Sequence, residues 1–170
     1  MLSHPAMFTY QGARAPMSQV FDEILTLLNQ NGIPHEVLEH EAVYTSEEAA
    51  RVRGTGLDQA AKALLFQADE KPLLLVVPGD KRVDTRGFKK RFKVKDLRMA
   101  TREEVERLTG LTPGAIPPLG GVLGLPTYLD ETLLEKETVV FNAGSHTRSI
   151  RMSPHDLSAL VQPTVGSFSR

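Results

Sequence analysis

The chain has 170 residues, 41% of them hydrophobic and 24% charged, with a net charge of −1 and no cysteine. This length suits one domain with one substantial core, and the absence of thiols excludes disulfides, thiolate metal sites and a cysteine nucleophile. No apolar run approaches the roughly 20 residues needed to span a bilayer and residues 1–17 lack a signal-type apolar core, so a soluble cytoplasmic protein with no membrane partner is expected.

Residues 1–17 read as an N-terminal extension, with Met7 and Met17 as alternative starts. Residues 18–31 place Val20, Ile24, Leu27 and Leu28 on one helical face, with Ser18 able to cap the helix and Gly32 to end it. Residues 34–38 suit a strand. Thr45-Ser46-Glu47-Glu48 is a capping box that opens a short helix stopping before Gly54. Residues 61–67 and 73–77 are two apolar strands at hairpin spacing. Asp84 can cap a basic helix over residues 85–92, which Phe88 and Phe92 pin to the core. A short strand is expected over residues 94–97, and a second capping box, Thr101 to Glu104, opens a helix closed by Gly110. Residues 127–129 suit a strand, and Asp130 caps a helical turn through Leu134. Residues 138–141 and 149–152 are strands joined by a glycine-containing connection. Ser153-Pro154 opens the last helix, and residues 162–170 read as a loose tail. This irregular mixture predicts an α/β fold of mixed α+β type, a single compact domain over residues 18–161 built on a mixed sheet.

Residues 109–126, TGLTPGAIPPLGGVLGLP, stand apart. Half are glycine or proline, so neither a continuous helix nor a central strand is expected there. A long irregular segment between well-patterned elements is usually functional, and its glycines allow close approach of backbone to ligand. Charge is also unevenly placed. Residues 81–98 hold nine basic side chains against Asp84 and Asp96, a local +7 that leaves −8 for the rest. Such polarity can present one basic face to a polyanion.

Lys62 lies within AAKALLF, where it either snorkels to water from a strand end or points into a cleft. In a cleft its ammonium needs an anionic or carbonyl partner. His146, in the turn after Gly144 and Ser145, is a candidate base or a plain turn residue. The histidines and carboxylates form no metal-ligand spacing, and no dinucleotide, phosphate-loop or serine-elbow motif is present, so neither a metal nor a cofactor is expected. An enzyme made from these parts lacks a protein nucleophile. It would place donors around a reacting carbonyl and let water or a substrate hydroxyl attack.

Three stretches, AAKALLF, TGLTPGAIPPLG and FNAGSHTRSIRMSPHDL, together with GDKRVD and ATREEVERLTG, occur in the order seen in the YbaK/EbsC-type aminoacyl-tRNA deacylases, which the chain resembles over residues 18–161. That family is related to the editing insertion of bacterial prolyl-tRNA synthetase. The resemblance implies a curved, mostly antiparallel mixed sheet with surrounding helices. It implies hydrolysis of mischarged tRNA, commonly alanine or cysteine on the proline tRNA. Its matching positions are Lys62, Gly114, Gly120 and Gly144 for catalysis, and Pro118, Asn142, Ala143 and His146 around the substrate. Lys62 would meet the terminal phosphate or the developing oxyanion. Lys81, Arg82, Lys89, Lys90 and Arg91 would meet the acceptor stem. Mischarged tRNA is the implied partner and a synthetase a second; DNA is not. The family's serine before the loop proline is Pro117 here, and the histidine of alanine-specific editors is Asn142. Two other readings stay open: a silent module that binds aminoacyl-tRNA or a synthetase, and a regulatory domain for a small molecule.

Overall fold

Side chains close in sequence set most element ends. In the computed structural model, which describes residues 17–170, the order is α1 (Met17–Gln30), β1 (His35–Glu39), α2 (Ser46–Arg53), a 3₁₀ turn (Leu57–Gln59), β2 (Ala61–Ala68), β3 (Lys71–Pro78), α3 (Thr85–Phe92), β4 (Leu97–Met99), α4 (Arg102–Thr109), α5 (Gly120–Leu123), β5 (Thr127–Asp130), a second 3₁₀ turn (Glu131–Glu135), β6 (Val139–Asn142), β7 (Arg148–Met152), α6 (Pro154–Val161) and β8 (Thr164–Gly166). The start sites within the expected N-terminal extension and the side chain of Ser18 lie outside the described residues. Both capping boxes form: Thr45 and Thr101 accept from the N–H of Glu48 and Glu104, whose carboxylates reach back to the cap N–H groups. Asp84 and Ser153 cap α3 and α6.

The strands form two sheets. One is antiparallel, in the order β1-β7-β6, and the other is mixed, in the order β4-β2-β3-β5-β8, with β3-β5 and β5-β8 parallel. A parallel bridge between Ala60 and Val140 joins them. β3 is apolar through its centre because both its faces are covered. On one side lie Ala63, Leu65, Leu74 and Val76 with α1, α4, α6 and residues 111–119. On the other, Phe66, Leu73, Leu75 and Val77 meet Phe88 of α3.

Two expectations are refined, the hairpin turn and the glycine- and proline-rich segment, and two are corrected. The β2–β3 connection is a two-residue turn, Asp69-Glu70, with φ of +50° and +65°, the twist-matched geometry of tight hairpins. The strand expected over residues 94–97 starts at Leu97, because the N–H groups of Lys95 and Asp96 donate to the Asp69 carboxylate at the hairpin tip. Within the glycine- and proline-rich segment, residues 120–123 make one helical turn closed by Gly124 in the left-handed conformation. Most substantially, residues 162–170 are not a loose tail. β8 pairs with β5, Phe168 is fully buried among Phe88, Phe92 and Tyr128, and its N–H donates to the buried Asp130 carboxylate at 2.9 Å. The short segment after Pro163, with only Val165 and Phe168 as large apolar residues, carries no periodicity of its own, and only the aromatic cavity beside α3 gives it a place. Phe168→Ala should therefore cost about 3–5 kcal/mol, read as a lowered urea midpoint; a midpoint equal to wild type would return the segment to the status of a tail.

Glu23 on α1 is 4% exposed, and its carboxylate has no hydrogen-bond or ion-pair partner among the described residues. Burial pushes its carboxyl up to about 7. This folded-state value lies above the unfolded one, so the folded protein binds the extra proton and stability falls as pH rises between the two. Glu23→Gln should remove that fall and raise stability by roughly 1–3 kcal/mol on the alkaline side. A melting-temperature series across pH measures it, and an unchanged slope would contradict it.

Candidate active site

The seam between the two sheets holds a cavity of about 220 Å³. Its walls are residues 43–46 at the start of α2, Arg53 at the end of α2, residues 61–64 of β2, Gly114 and Ile116 of the irregular segment, and Phe141 and Asn142 of β6. Three of the predicted site residues meet here: Lys62, Gly114 and Asn142.

Lys62 is half-buried because β2 alternates. Ala61, Ala63 and Leu65 face the main core, while Lys62 and Leu64 face out toward the cavity. Its ammonium donates to the carbonyl of Lys81 at 3.1 Å, which anchors it and leaves protons for a ligand. Burial lowers its pKa from the usual lysine value, against the opposing charges of Glu47 and Asp80, with Arg82 adding to the fall.

Gly114 sits at φ +90°, a conformation other residues rarely adopt, and a Cβ there would lie 3.3 Å from Cε1 of His146. Its carbonyl accepts from Asn142 Nδ2 at 2.7 Å. Within the segment Ala115 N–H bonds back to Thr112, whereas the N–H groups of Gly114 and Ile116 donate to no protein acceptor among the described residues. Of the segment's N–H groups without an acceptor, these two belong to residues that line the cavity. Pro117 and Pro118 are buried beneath it.

Sequence reasoning missed Arg53. It is 9% exposed and lines the cavity, yet none of the described carboxylates pairs with it. Its Nη1 donates only to neutral oxygens, Ser149 Oγ at 3.2 Å and Asn142 Oδ1 at 3.4 Å, and its buried Nε has no partner. Desolvation, with the nearby charge of Arg151, lowers its pKa to about 10. Ser149 is fully buried and has one proton for two acceptors, His40 Nε2 at 2.8 Å and Asn142 Oδ1 at 3.2 Å. His40 donates from Nδ1 to the Glu41 carbonyl. A chain of polar contacts thus runs from His40 through Ser149, Arg53 and Asn142 to the carbonyl of Gly114. An arginine in the last turn of a helix reads as a surface residue, and only its contacts with Ser149 of β7 and Asn142 of β6 show otherwise.

Other predicted site residues stand outside the cavity. His146 is a strut: Nδ1 donates to the Val43 carbonyl at 2.9 Å, so Nε2 accepts from the Thr112 hydroxyl at 2.6 Å. With both nitrogens engaged it braces the segment rather than facing a substrate. Gly120 is buried beside Thr127 Oγ1 and the Leu125 carbonyl, which a side chain would strike, so its size serves packing. Pro118, Ala143 and Gly144 are buried, and the Ala143 N–H is used by the Arg148 carbonyl. Lys81 and Arg82 are exposed on the turn after β3; Lys90 and Arg91 are exposed and Lys89 half-buried on α3. Arg91 packs over Phe92 and Phe168 at 5.0 and 5.5 Å. Arg98, counted in the basic stretch, is neutralised by Glu104 through bonds of 2.8 and 3.0 Å.

The cavity therefore offers two cations and free backbone donors, and among the described residues lining it no nucleophile is paired with a base, the Ser149–His40 pair lying outside the lining with Ser149 buried, an arrangement suited to polarising a carbonyl while water attacks. Comparison with known proteins points the same way. Residues 40–160 match the family model described as an aminoacyl-tRNA editing domain. The chain is 30% identical over 158 residues to an Escherichia coli K12 protein named multifunctional Ser/Thr-tRNA deacylase ProXp-y, covering 90% of this chain and 95% of that one. It is 25% identical over 153 residues to the prolyl-tRNA editing protein ProX of Acetoanaerobium sticklandii, covering 85% and 92%. A crystal structure of a candidate trans-editing enzyme for prolyl tRNA synthetase superposes with a TM-score of 0.78 at 31% identity, covering 93% of this chain and 99% of that one. The chain belongs to the aminoacyl-tRNA editing domain family.

Proposed function

We propose that this protein hydrolyses, in trans, the ester that joins a wrongly attached small amino acid to tRNA, the proline tRNA carrying alanine or cysteine being one such substrate. The observation that carries this reading is the meeting of Lys62 with the unused N–H groups of Gly114 and Ile116 across a small cavity. Water attacks the ester carbonyl. The oxygen that gains charge is met by the two N–H groups, and the bond from the carbonyl carbon to the ribose oxygen breaks, that oxygen taking up the proton given up by the attacking water, to release amino acid and intact tRNA. Lys62 holds the phosphate beside the terminal ribose. Such clearance is needed because a synthetase pocket rejects a substrate differing by one methylene by only about 1–3 kcal/mol. The relatives named for deacylation of tRNA and for prolyl-tRNA editing support the reading. A synthetase that delivers the tRNA is a second partner, and the cytoplasm, where charged tRNA is used, is the expected place of action; among the described residues no helix is long and apolar enough to cross a membrane.

The test is release of amino acid from a panel of mischarged tRNAs. Failure to hydrolyse any of them at stoichiometric enzyme leaves a binding module and removes the enzyme. The basic surface has its own test. Lys89→Glu/Lys90→Glu should weaken tRNA binding and flatten its dependence on salt by close to one unit of slope for each phosphate no longer neutralised. Arg91 is left in place because it also packs the core. An unaltered salt slope would take α3 out of the interface.

A further inference from the structure

Lys62 and Leu64 border a second space besides the cavity: an open groove of about 590 Å³ across the outer face of β2. Its floor is apolar, with Leu64 and Phe66 from β2 and Leu97 and Met99 from β4. Met99, opposite Phe66 in the strand pairing, is 56% exposed, an unusual position for a large apolar side chain on an edge strand. Among the described residues the groove's side-chain charge outside ion pairs comes from Lys62, Arg82 and Arg170, since Arg98 is held by Glu104. Also lining the cavity, Tyr44 is 72% exposed, with its ring 4.7 Å from that of His146, which is fixed at both nitrogens. One continuous surface therefore offers a braced aromatic ring, a lysine, an arginine and an exposed apolar floor.

Single-stranded nucleic acid is recognised by this combination, with bases stacked on flat apolar or aromatic groups and phosphates tracked by cations. Resting on the deacylase reading above, we infer that the single-stranded 3′ end of tRNA lies along this path, with its terminal adenine on Tyr44, its backbone crossing Lys62 toward Arg82, and the preceding base on the Leu97–Met99 floor. The continuity of groove and cavity through Lys62 and Leu64 argues for a strand whose end enters the cavity, and the positive charge with stacking surfaces argues for nucleic acid over an apolar peptide.

The experiment compares two substrates, aminoacyl-tRNA and aminoacyl-adenosine, which carries the ester and the terminal base but no preceding nucleotide. Met99→Asp should lower kcat/KM on tRNA about tenfold or more while changing the value on aminoacyl-adenosine by less than about twofold, and Met99→Phe should retain the tRNA activity. Tyr44→Ala should lose activity on both substrates. Equal loss on both substrates with Met99→Asp, or no loss on tRNA, would overturn the path. Should the wild type hydrolyse neither substrate, the deacylase reading falls. The path is then read from fluorescence anisotropy of an uncharged oligoribonucleotide ending in CCA. Binding weakened by Met99→Asp and by Tyr44→Ala keeps the path, and binding that is absent or indifferent to both removes it.

Discussion

Replacing Lys62 by alanine should lower kcat/KM for mischarged tRNA by about 10–100-fold, the effect of losing one charge-assisted contact worth about 1.5–3 kcal/mol, with the fold intact. Among the described residues its ammonium hydrogen-bonds only to the Lys81 carbonyl, and losing one such bond costs ~1 kcal/mol. Because it is assigned to the phosphate rather than to the oxyanion, its loss should be far smaller on aminoacyl-adenosine, which has no phosphate. Equal losses on the two substrates would move the ammonium to the oxyanion; no loss on tRNA would remove it from the site. The pH profile carries a second signature. Burial makes the ammonium give up its proton below the usual lysine range, so activity on tRNA should decline on the alkaline side earlier than a solvated lysine allows. That limb should vanish in Lys62→Ala.

Arg53→Met should separate stability from activity. A buried guanidinium without a carboxylate is costly to the fold, and replacing buried charge by an apolar side chain of similar length is often neutral or stabilising by about 1–4 kcal/mol. Against this stands the loss of one donor to Ser149 and Asn142. The melting temperature should equal or exceed that of wild type. Activity should nevertheless fall about 100-fold, because Asn142 loses one of the two donors to its carbonyl and the amide that holds the Gly114 backbone is less firmly fixed. A variant that melts well below wild type would mean that Arg53 is structural cement. One that melts normally and hydrolyses normally would take the His40–Ser149–Arg53–Asn142 chain out of the chemistry.

These two residues also mark what could be read from the chain alone. Lys62 was legible because its context is local: a single charge in an apolar strand must reach either water or a cleft, and the alternation of β2 turns it toward the cavity mouth. Helix starts were legible for the same reason, since Thr45, Asp84, Thr101 and Ser153 each cap the N–H three positions on. Arg53, His40 and Ser149 were not, because their meaning lies in contacts between residues about a hundred positions apart. Glycines misled in a different way. Gly114 lines the cavity with φ +90°, while Gly120, six residues on, is small because Thr127 and Leu125 crowd it. Composition flags both alike, and only packing tells a glycine that faces a ligand from one that faces a neighbour. The segment after Pro163 was misjudged because Phe168 has no periodic companions, and its cavity is built by α3 and Tyr128 from elsewhere in the chain.

The seam position of the cavity has a consequence for how the molecule assembles. One wall belongs to the β2–β3 hairpin, which can form from adjacent residues. The opposite wall is set by β6 and β7, and β7 pairs with β1 through registers such as His35 with Met152. Closing so long a loop is slow compared with forming a hairpin. In a refolding experiment, strand signal from the hairpin should therefore appear first, and catalytic competence should return only in the last kinetic phase, when β1 and β7 have paired and Arg53 has been carried into the interior.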